Sequence, residues 1–303
     1  MLIVKRWLKS KKSNFKANPL GATYVGRFAP SPSGPLHLGS LYIAVASYLA
    51  AKSKSGTWIV RLEDIDEPRC QVGADKLIID TLSAHGLQSD IPIIYQAQRK
   101  SLYNDYLTLL ESNNKVYPCV CSRANIKLRS AFYQGQCRQQ TVCKTEPFAL
   151  RFKNSFSPSL HKPVTSINNE DIIIKRKDGL FAYNFVVVCD DIDQGVTEVV
   201  RGNDLADTQH IQTVLRNQFS QRALSFLHLP VLVSAPGQKL SKQNHAPAVD
   251  NERAKDNLLT VFSLLGIELT HKAQELTISQ LLHAATLAWP TRIINNQHEI
   301  IVR

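Results

Sequence analysis

Two lysines, Lys239 and Lys242, stand in the run Lys239-Leu240-Ser241-Lys242-Gln243, which carries a hydroxyl and an amide but little apolar mass. Such a loop suits a charge that develops only briefly, as on a leaving phosphate. Far upstream, Arg27-Phe28-Ala29-Pro30-Ser31-Pro32-Ser33-Gly34-Pro35-Leu36-His37-Leu38-Gly39-Ser40 reads as a short strand, a Pro/Gly-rich turn and a helix opening at His37 to Ser40. A helix start offers backbone N–H groups and the positive end of the helix dipole to a phosphate. His37 can donate from its imidazole to a phosphate oxygen, and Gly39, having no side chain, lets a nucleotide approach the backbone. Alone, His37 would be an ordinary cap histidine and the lysines a solvated loop. Both segments in this order predict a site for a nucleotide's phosphates.

Thiols form a second constellation. Cys119-Val120-Cys121, Tyr133 and Cys137 supply soft donors for zinc, and a closed tetrahedral site would staple a segment too small for its own core. The spacing is not that of a common zinc finger. On donor chemistry Cys143 is the better fourth ligand, because Tyr133 must lose a proton with a reference pKa near ~10. Cys70 and Cys189 stand alone and read as buried small apolar residues. Charge marks a third group. Arg27 closes the first strand, Glu63 the second, and Tyr183 and Arg201 lie in the later half. Two guanidiniums predict a ligand with two negative groups, such as glutamate, with Glu63 taking its ammonium. Outside this context Glu63-Asp64-Ile65-Asp66 would be a surface acidic turn and Arg201 a structural ion pair.

These residues need a scaffold. Tyr24 to Phe28 and Trp58 to Leu62 read as parallel strands, and Leu38 to Ala51, Val72 to His85 and Gln98 to Leu110 as helices, the second stopped at Gly86. Strand–helix alternation predicts a doubly wound parallel sheet of Rossmann type, with Glu63 at the strand edge where such sheets bind ligands. Periodicity breaks from Val116 to about Thr145, as an insertion would. Phe148 to Phe152, Ile172 to Arg176 and Phe181 to Val188 read as strands, the last two joined at Asp178-Gly179. Leu205 to Phe219 reads as a helix, Phe226 to Val233 as a return to the sheet around Pro230. From Asn251 two helices remain, ending at Gly266 and Pro290. The expected division is a basic extension (1–22), a first catalytic half (23–115), a zinc-binding and connective insertion (116–190), a second catalytic half with the Lys239–Gln243 loop (191–250) and a short helical C-terminal appendage (251–303).

The chain has 303 residues, 44% of them hydrophobic, enough for a sizeable core. No apolar stretch reaches the roughly 18 residues of a membrane span, and residues 1–20 lack the apolar run of a signal peptide. Six cysteines, three of them clustered, suggest a cytoplasmic protein with a metal site rather than a disulfide framework. The net charge of +11 permits a nucleic-acid partner without requiring one. Lys5, Arg6, Lys9, Lys11, Lys12 and Lys16 concentrate much of it in the extension, which reads as a basic tail, with an arm that helps bind RNA as the sharper alternative.

Taken together, the motifs resemble those of the glutamyl-queuosine synthetases of tRNA(Asp), a shortened branch of the class I glutamyl-tRNA synthetase family. His37 to Ser40 and Lys239 to Gln243 are similar to its two ATP-handling signatures, with Ser40 in place of the usual final histidine. The similarity runs from about Tyr24 to Asp250 and includes Val60 to Asp66, Asp178 to Asn184 and Lys239 to Ala248. It implies a class I fold with an acceptor-like insertion, and glutamate, ATP with Mg²⁺ and queuosine-bearing tRNA(Asp) as substrates. Activation would proceed without tRNA. The implied glutamate set is Arg27, Ala29, Ser31, Glu63, Tyr183 and Arg201. The ATP set is Pro30, His37, Gly39, Ser40 and Lys242, with Lys239 in support. One zinc ion per chain would sit on Cys119, Cys121, Tyr133 and Cys137, so the resemblance favours Tyr133 where donor chemistry favours Cys143. Only about sixty residues follow Lys242, too few for another ordinary anticodon-binding domain, so the catalytic face would take the anticodon stem-loop. A monomer is expected. A truncated enzyme charging tRNA(Glu) and a non-catalytic RNA-binding relative are the competing expectations.

Overall fold

A computed structural model describes residues 24–139, 146–154, 164–220, 222–240, 246–269, 273–291 and 297–302. The basic extension, Cys143 and Ser241, Lys242 and Gln243 lie outside the described residues.

The strands are β1 (Val25–Phe28), β2 (Thr57–Leu62), β3 (Ile94–Tyr95), β4 (Val116–Cys119), β5 (Ala149–Phe152), β6 (Ile173–Lys175), β7 (Glu198–Gly202), β8 (Ser225–Leu229), β9 (Val231–Ala235), β10 (Gln238–Lys239) and β11 (Glu299–Ile301). The helices are α1 (Leu38–Lys52), α2 (Ala74–Ala84), α3 (Lys100–Ser112), α4 (Arg123–Arg129), α5 (Tyr183–Asp193), α6 (Thr208–Arg216), α7 (Ala254–Leu264) and α8 (Ile278–Ala288). They belong to two compact units. The described residues fall in one unit within Phe15–Ala97, Gly195–Ala206 and Ala223–Arg303 and another within Gln98–Gln194 and Asp207–Arg222.

In the first unit β1, β2 and β3 run parallel, and β7 pairs in parallel with β8. Thr197 joins the two ladders, donating N–H to Val25 O and accepting the Val25 N–H on Oγ1, each at 2.9 Å. The pleat divides the strands between two faces. Trp58, Val60, Leu62, Phe28 and Val200 enter one core with Leu41, Val45 and Leu49 of α1. Ala44, Ala46 and Ala50 keep α1 slim enough to lie close on this face, and Trp58 Nε1 donates to Ser47 Oγ at 3.0 Å. Leu258, Val261 and Phe262 of α7 and Leu281 and Ala285 of α8 are in the same core. The C-terminal helices are therefore built into the unit rather than hung from it, and β11 follows them to pair in parallel with β9. Pro230, which has no N–H, separates β8 from β9. Ile59, Val196 and Val199 pack on the opposite face with Val25 and Phe226.

The second unit holds the antiparallel sheet β4–β5–β6 together with α3, α5 and α6. Here one expectation fails. Phe181 to Val188 is not a strand: from Tyr183 the chain is helical to Asp193. The turn at Asp178-Gly179 does form, with Gly179 at φ 87° and Arg176 N–H donating to Leu180 O at 2.8 Å. Beyond the bridge from Phe181 to Lys175, however, the chain coils. The run Phe185-Val186-Val187-Val188 favours a strand by side-chain stiffness. Every residue from Phe185 to Asp191 is buried, so helical periodicity is erased. Interior partners hold the helix: Asp190 accepts from Arg99 Nε at 2.7 Å and the Tyr103 hydroxyl at 2.9 Å. Cys189 is buried as expected, whereas Cys70 is only half-buried, held near the surface after the acidic turn Glu67–Arg69. Among the described residues no helix is long and apolar enough to cross a membrane.

Candidate active site and thiol cluster

Gly34, at φ 136°, turns the chain after β1, and α1 begins with no acidic side chain in its first turn. His37 is the N-cap residue; its carbonyl accepts from Ser40 N–H at 2.9 Å, and its Nε2 lies 3.0 Å from Ser40 Oγ. A Cβ at Gly39 would come within 3.1 Å of the imidazole and 3.7 Å of Leu240 O. Glycine thus leaves room for the ring and for the second signature segment together. That segment returns from its far side as well: His37 bridges Ala248, and Val249 N–H donates to Leu36 O at 2.9 Å. Leu240 and Ala248, which flank Lys242 in the chain, both stand at the start of α1. Lys239, on β10, pairs with Asp204 at 2.6 Å. Gly202 permits this, because any side chain there would collide with the Asp204 carboxylate.

The charged group occupies the sheet face above Ile59 and Val199. Arg27 is paired in register with Ile59, so Arg27, Arg61 and Glu63 share that face; Arg201 follows Val199 by one pleat period and shares it too. Arg27, Glu63 and Arg201 are all buried, and Arg61 is fully so. Buried charges demand partners. Arg61 Nη2 lies 3.5 Å from Glu63 Oε1, and Arg201 Nε donates to His228 Nε2 at 3.1 Å. The acidic run is divided in function. Glu63 N–H ties β2 to Pro30 O at 2.9 Å, Asp64 accepts from Ala97 N–H at 2.8 Å, and Asp66 pairs with Arg69 at 2.7 Å. Ala29, Pro30 and the exposed Ser31 lie on the loop leaving β1. Tyr183 opens α5 in the other unit, half-buried.

The cysteines converge as expected. Cys119 ends β4, Cys121 follows two residues later, and a turn at Gly135 (φ 78°) returns Cys137. The three sulfurs lie within 4.8 Å of one another, with Cys121 and Cys137 at 3.6 Å. Tyr133, fully buried, accepts the Cys137 N–H on its hydroxyl at 2.9 Å, which places a fourth donor, an oxygen, beside the sulfur triad. Burial, reinforced by the neighbouring thiols, pushes Cys121 up to about 12. Burial acts the same way on Cys137, but donors from Val120, Tyr133 and the other thiols outweigh it and favour the thiolate. Arg151 donates to Cys119 Sγ at 3.4 Å and lies 3.8 Å over the Tyr133 ring, a cation against a donor set that becomes anionic on binding a metal. Three thiols, a phenol and a guanidinium fit a soft dication.

Sequence reasoning missed Arg61, Asp204, Phe226 and His228. Arg61 was readable as the residue two before Glu63 on one strand. Phe226 and His228 reach Arg201 only through the pairing of β7 with β8, and Asp204, in the turn after β7, becomes a partner only where Lys239 returns beside it.

The description "tRNA synthetases class I (E and Q), catalytic domain" matches residues 24–287. The chain is 44% identical over 274 residues to the Glutamyl-Q tRNA(Asp) synthetase of Idiomarina loihiensis, covering 88% of this chain and 96% of that protein. Against the protein of that name from Vibrio cholerae it is 41% identical over 288 residues, covering 92% and 95%. The crystal structure of glutamate–tRNA synthetase from Elizabethkingia anophelis has the same fold, with a TM-score of 0.69 at 21% identity over 88% of this chain and 67% of that one. The chain belongs to the class I glutamyl and glutaminyl tRNA synthetase family. Within that family, the relatives at 40–45% identity bear the name Glutamyl-Q tRNA(Asp) synthetase.

Proposed function

We propose that this protein is a ligase that activates glutamate with ATP, without tRNA, and transfers it to the queuosine at the wobble position of tRNA(Asp). The activation step is supported above all by the meeting of Leu240 and Ala248 with Gly39 and His37. The acceptor is supported by the name shared by relatives that this chain matches almost end to end.

In the first step a carboxylate oxygen of glutamate attacks the α-phosphorus, the bond to the β-phosphate oxygen breaks, and pyrophosphate leaves. ATP enters as its Mg²⁺ complex. The start of α1 and His37, steadied by Ser40, hold phosphate oxygens; Pro30 and Gly39 shape the space for the nucleotide. Lys242 meets the charge that grows on the leaving group, and Lys239 supports it once released from Asp204. Arg27 and Arg201 take carboxylates, Glu63 with Arg61 behind it takes the ammonium, and Ala29 and Ser31 line the same loop. The assignment of Tyr183 rests on the resemblance. In the second step a hydroxyl of the queuosine cyclopentenediol attacks the acyl carbon, its proton passes to solvent, and AMP leaves. Cys119, Cys121, Cys137 and Tyr133 would hold one zinc ion, which when bound ties β4 to the turn at Gly135 and does no chemistry on substrate. A monomer in the cytoplasm, where thiols stay reduced, suits this role.

Labelled glutamate offered with queuosine-bearing tRNA(Asp), tRNA(Asp) lacking queuosine and tRNA(Glu) should mark the first alone. Label on tRNA(Glu) alone overturns the assignment. Absence of glutamate-dependent ATP–pyrophosphate exchange in tRNA-free buffer overturns the activation step.

A further inference from the structure

Arg201 is 4% exposed. A guanidinium at that depth keeps a useful direction only if its neighbours set one. Those neighbours come from β8. Parallel pairing places Val199 beside Phe226 and Arg201 beside His228. Arg201 Nε donates to His228 Nε2 at 3.1 Å, and its Cζ stands 4.8 Å from the centroid of the Phe226 ring. The Phe226 and His228 rings are parallel to within 3°, with centroids 6.0 Å apart. One aromatic face therefore supports the guanidinium plane, while the imidazole holds Nε and fixes rotation about the end of the side chain. The direction of the two terminal nitrogens follows from that grip.

The acceptor has to be an unprotonated ring nitrogen, since imidazolium carries N–H on both and accepts nothing. Protonation would also place two cations 3.1 Å apart. Burial first, and the charge of Arg201 second, hold the His228 pKa below its ordinary value of 6.5. Arg201 is the charge that faces His228 from β7. On its own strand the neighbour on that face is the uncharged Phe226. Among the described residues of the face, the other charges are Arg27 on β1, Arg61 on β2 and Glu63 just past its end.

We propose that His228, aided by Phe226, is a positioning residue that aims Arg201 at the substrate carboxylate, so that amino-acid affinity depends on a neutral imidazole. This rests on the glutamate-binding role proposed for Arg201; His228 itself touches no reacting atom.

The test measures glutamate and ATP KM by ATP–pyrophosphate exchange from about pH 5.5 to about pH 8.5. The proteins are the wild type, His228→Leu, His228→Gln and Arg201→Ala. His228→Leu, which removes the acceptor, should raise the glutamate KM about tenfold and leave the ATP KM unchanged. His228→Gln carries an amide oxygen that accepts at every pH and should restore most of the affinity near neutrality. In the wild type the contact is complete above the depressed pKa and lost as pH falls through it, so glutamate KM should climb on acidification. In His228→Gln that climb should be absent. An unchanged glutamate KM in a folded Leu variant overturns the proposal, as does an acid climb that persists in the Gln variant. If the Leu variant does not fold, the pH profile of the Gln variant decides. An unaltered glutamate KM in Arg201→Ala would instead overturn the role given to Arg201.

Discussion

The two units hold their reactive groups in opposite ways. In the parallel-sheet unit, Arg27, Arg61 and Arg201 stand on strands, and Glu63 just past one, whose other face is sealed by α1, α7 and α8. A large apolar core sets their positions, and each buried Leu or Phe of it contributes about 1.5–3 kcal/mol whether or not a ligand is present. Around the cysteines the buried core among the described residues is Tyr117, Cys119, Tyr133 and Cys137, with Val120, Cys121 and Ile126 against it. Three of the four buried ones are proposed ligands, so the cluster is both site and scaffold. Preorganisation by a sheet lets function survive loss of one contact; a ligand-dependent cluster concentrates its stability in the ion.

That contrast can be broken in order of expected size. Cys121→Ser, or a strong chelator, should reduce bound zinc from about one per chain to near zero, and hydrogen-exchange protection over β4–β6 should go with it, while ATP binding stays as it was. Equal zinc content in mutant and wild type would contradict the ligand set. In the sheet unit, Arg61→Met leaves the Glu63 carboxylate buried beside a thioether. The expected cost is about 3–5 kcal/mol in urea denaturation, without unfolding the sheet. A loss under 1 kcal/mol, on the order of an exposed pair, would mean that the Arg61–Glu63 pair is not a desolvated one.

Lys242→Ala should slow adenylate formation by roughly 10²–10³-fold with little change in glutamate affinity, because its charge is needed only as pyrophosphate departs. An unchanged exchange rate would remove it from the mechanism. The smallest effect sharpens the role of the core. At Gly56 a Cβ would fall 2.7 Å from the Tyr24 ring and 2.8 Å from Tyr24 O, backbone that cannot yield cheaply. Gly56→Ala should cost about 1–3 kcal/mol of stability, read from the thermal midpoint, with zinc content untouched.

Much of this arrangement is legible along the chain. The turn before His37, the helix from Leu38, the strand ending at Leu62 and the thiols at 119, 121 and 137 follow from local chemistry. Proline and glycine restrict a turn, alternation marks a strand, and thiols declare their affinity for metal. Ala-rich α1 was also readable, since small residues over four turns suit a helix pressed against a sheet. Donor strength points to Cys143 rather than Tyr133; only the fold shows the Tyr133 hydroxyl accepting from the Cys137 amide.

What sequence alone determined is therefore the chemistry carried by each segment, because that depends on bonds and contacts within a few residues. Tertiary structure decided which segments meet. It coiled Phe185 to Val188 into a helix against their strand preference, because burial on every side left no periodic signal and Asp190 found Arg99 and Tyr103 inside. It brought Leu240 and Ala248 to Gly39 and His37. It also chose His228 for Arg201. Partners remote in the chain are selected by strand register and packing, and neither is written in any one segment.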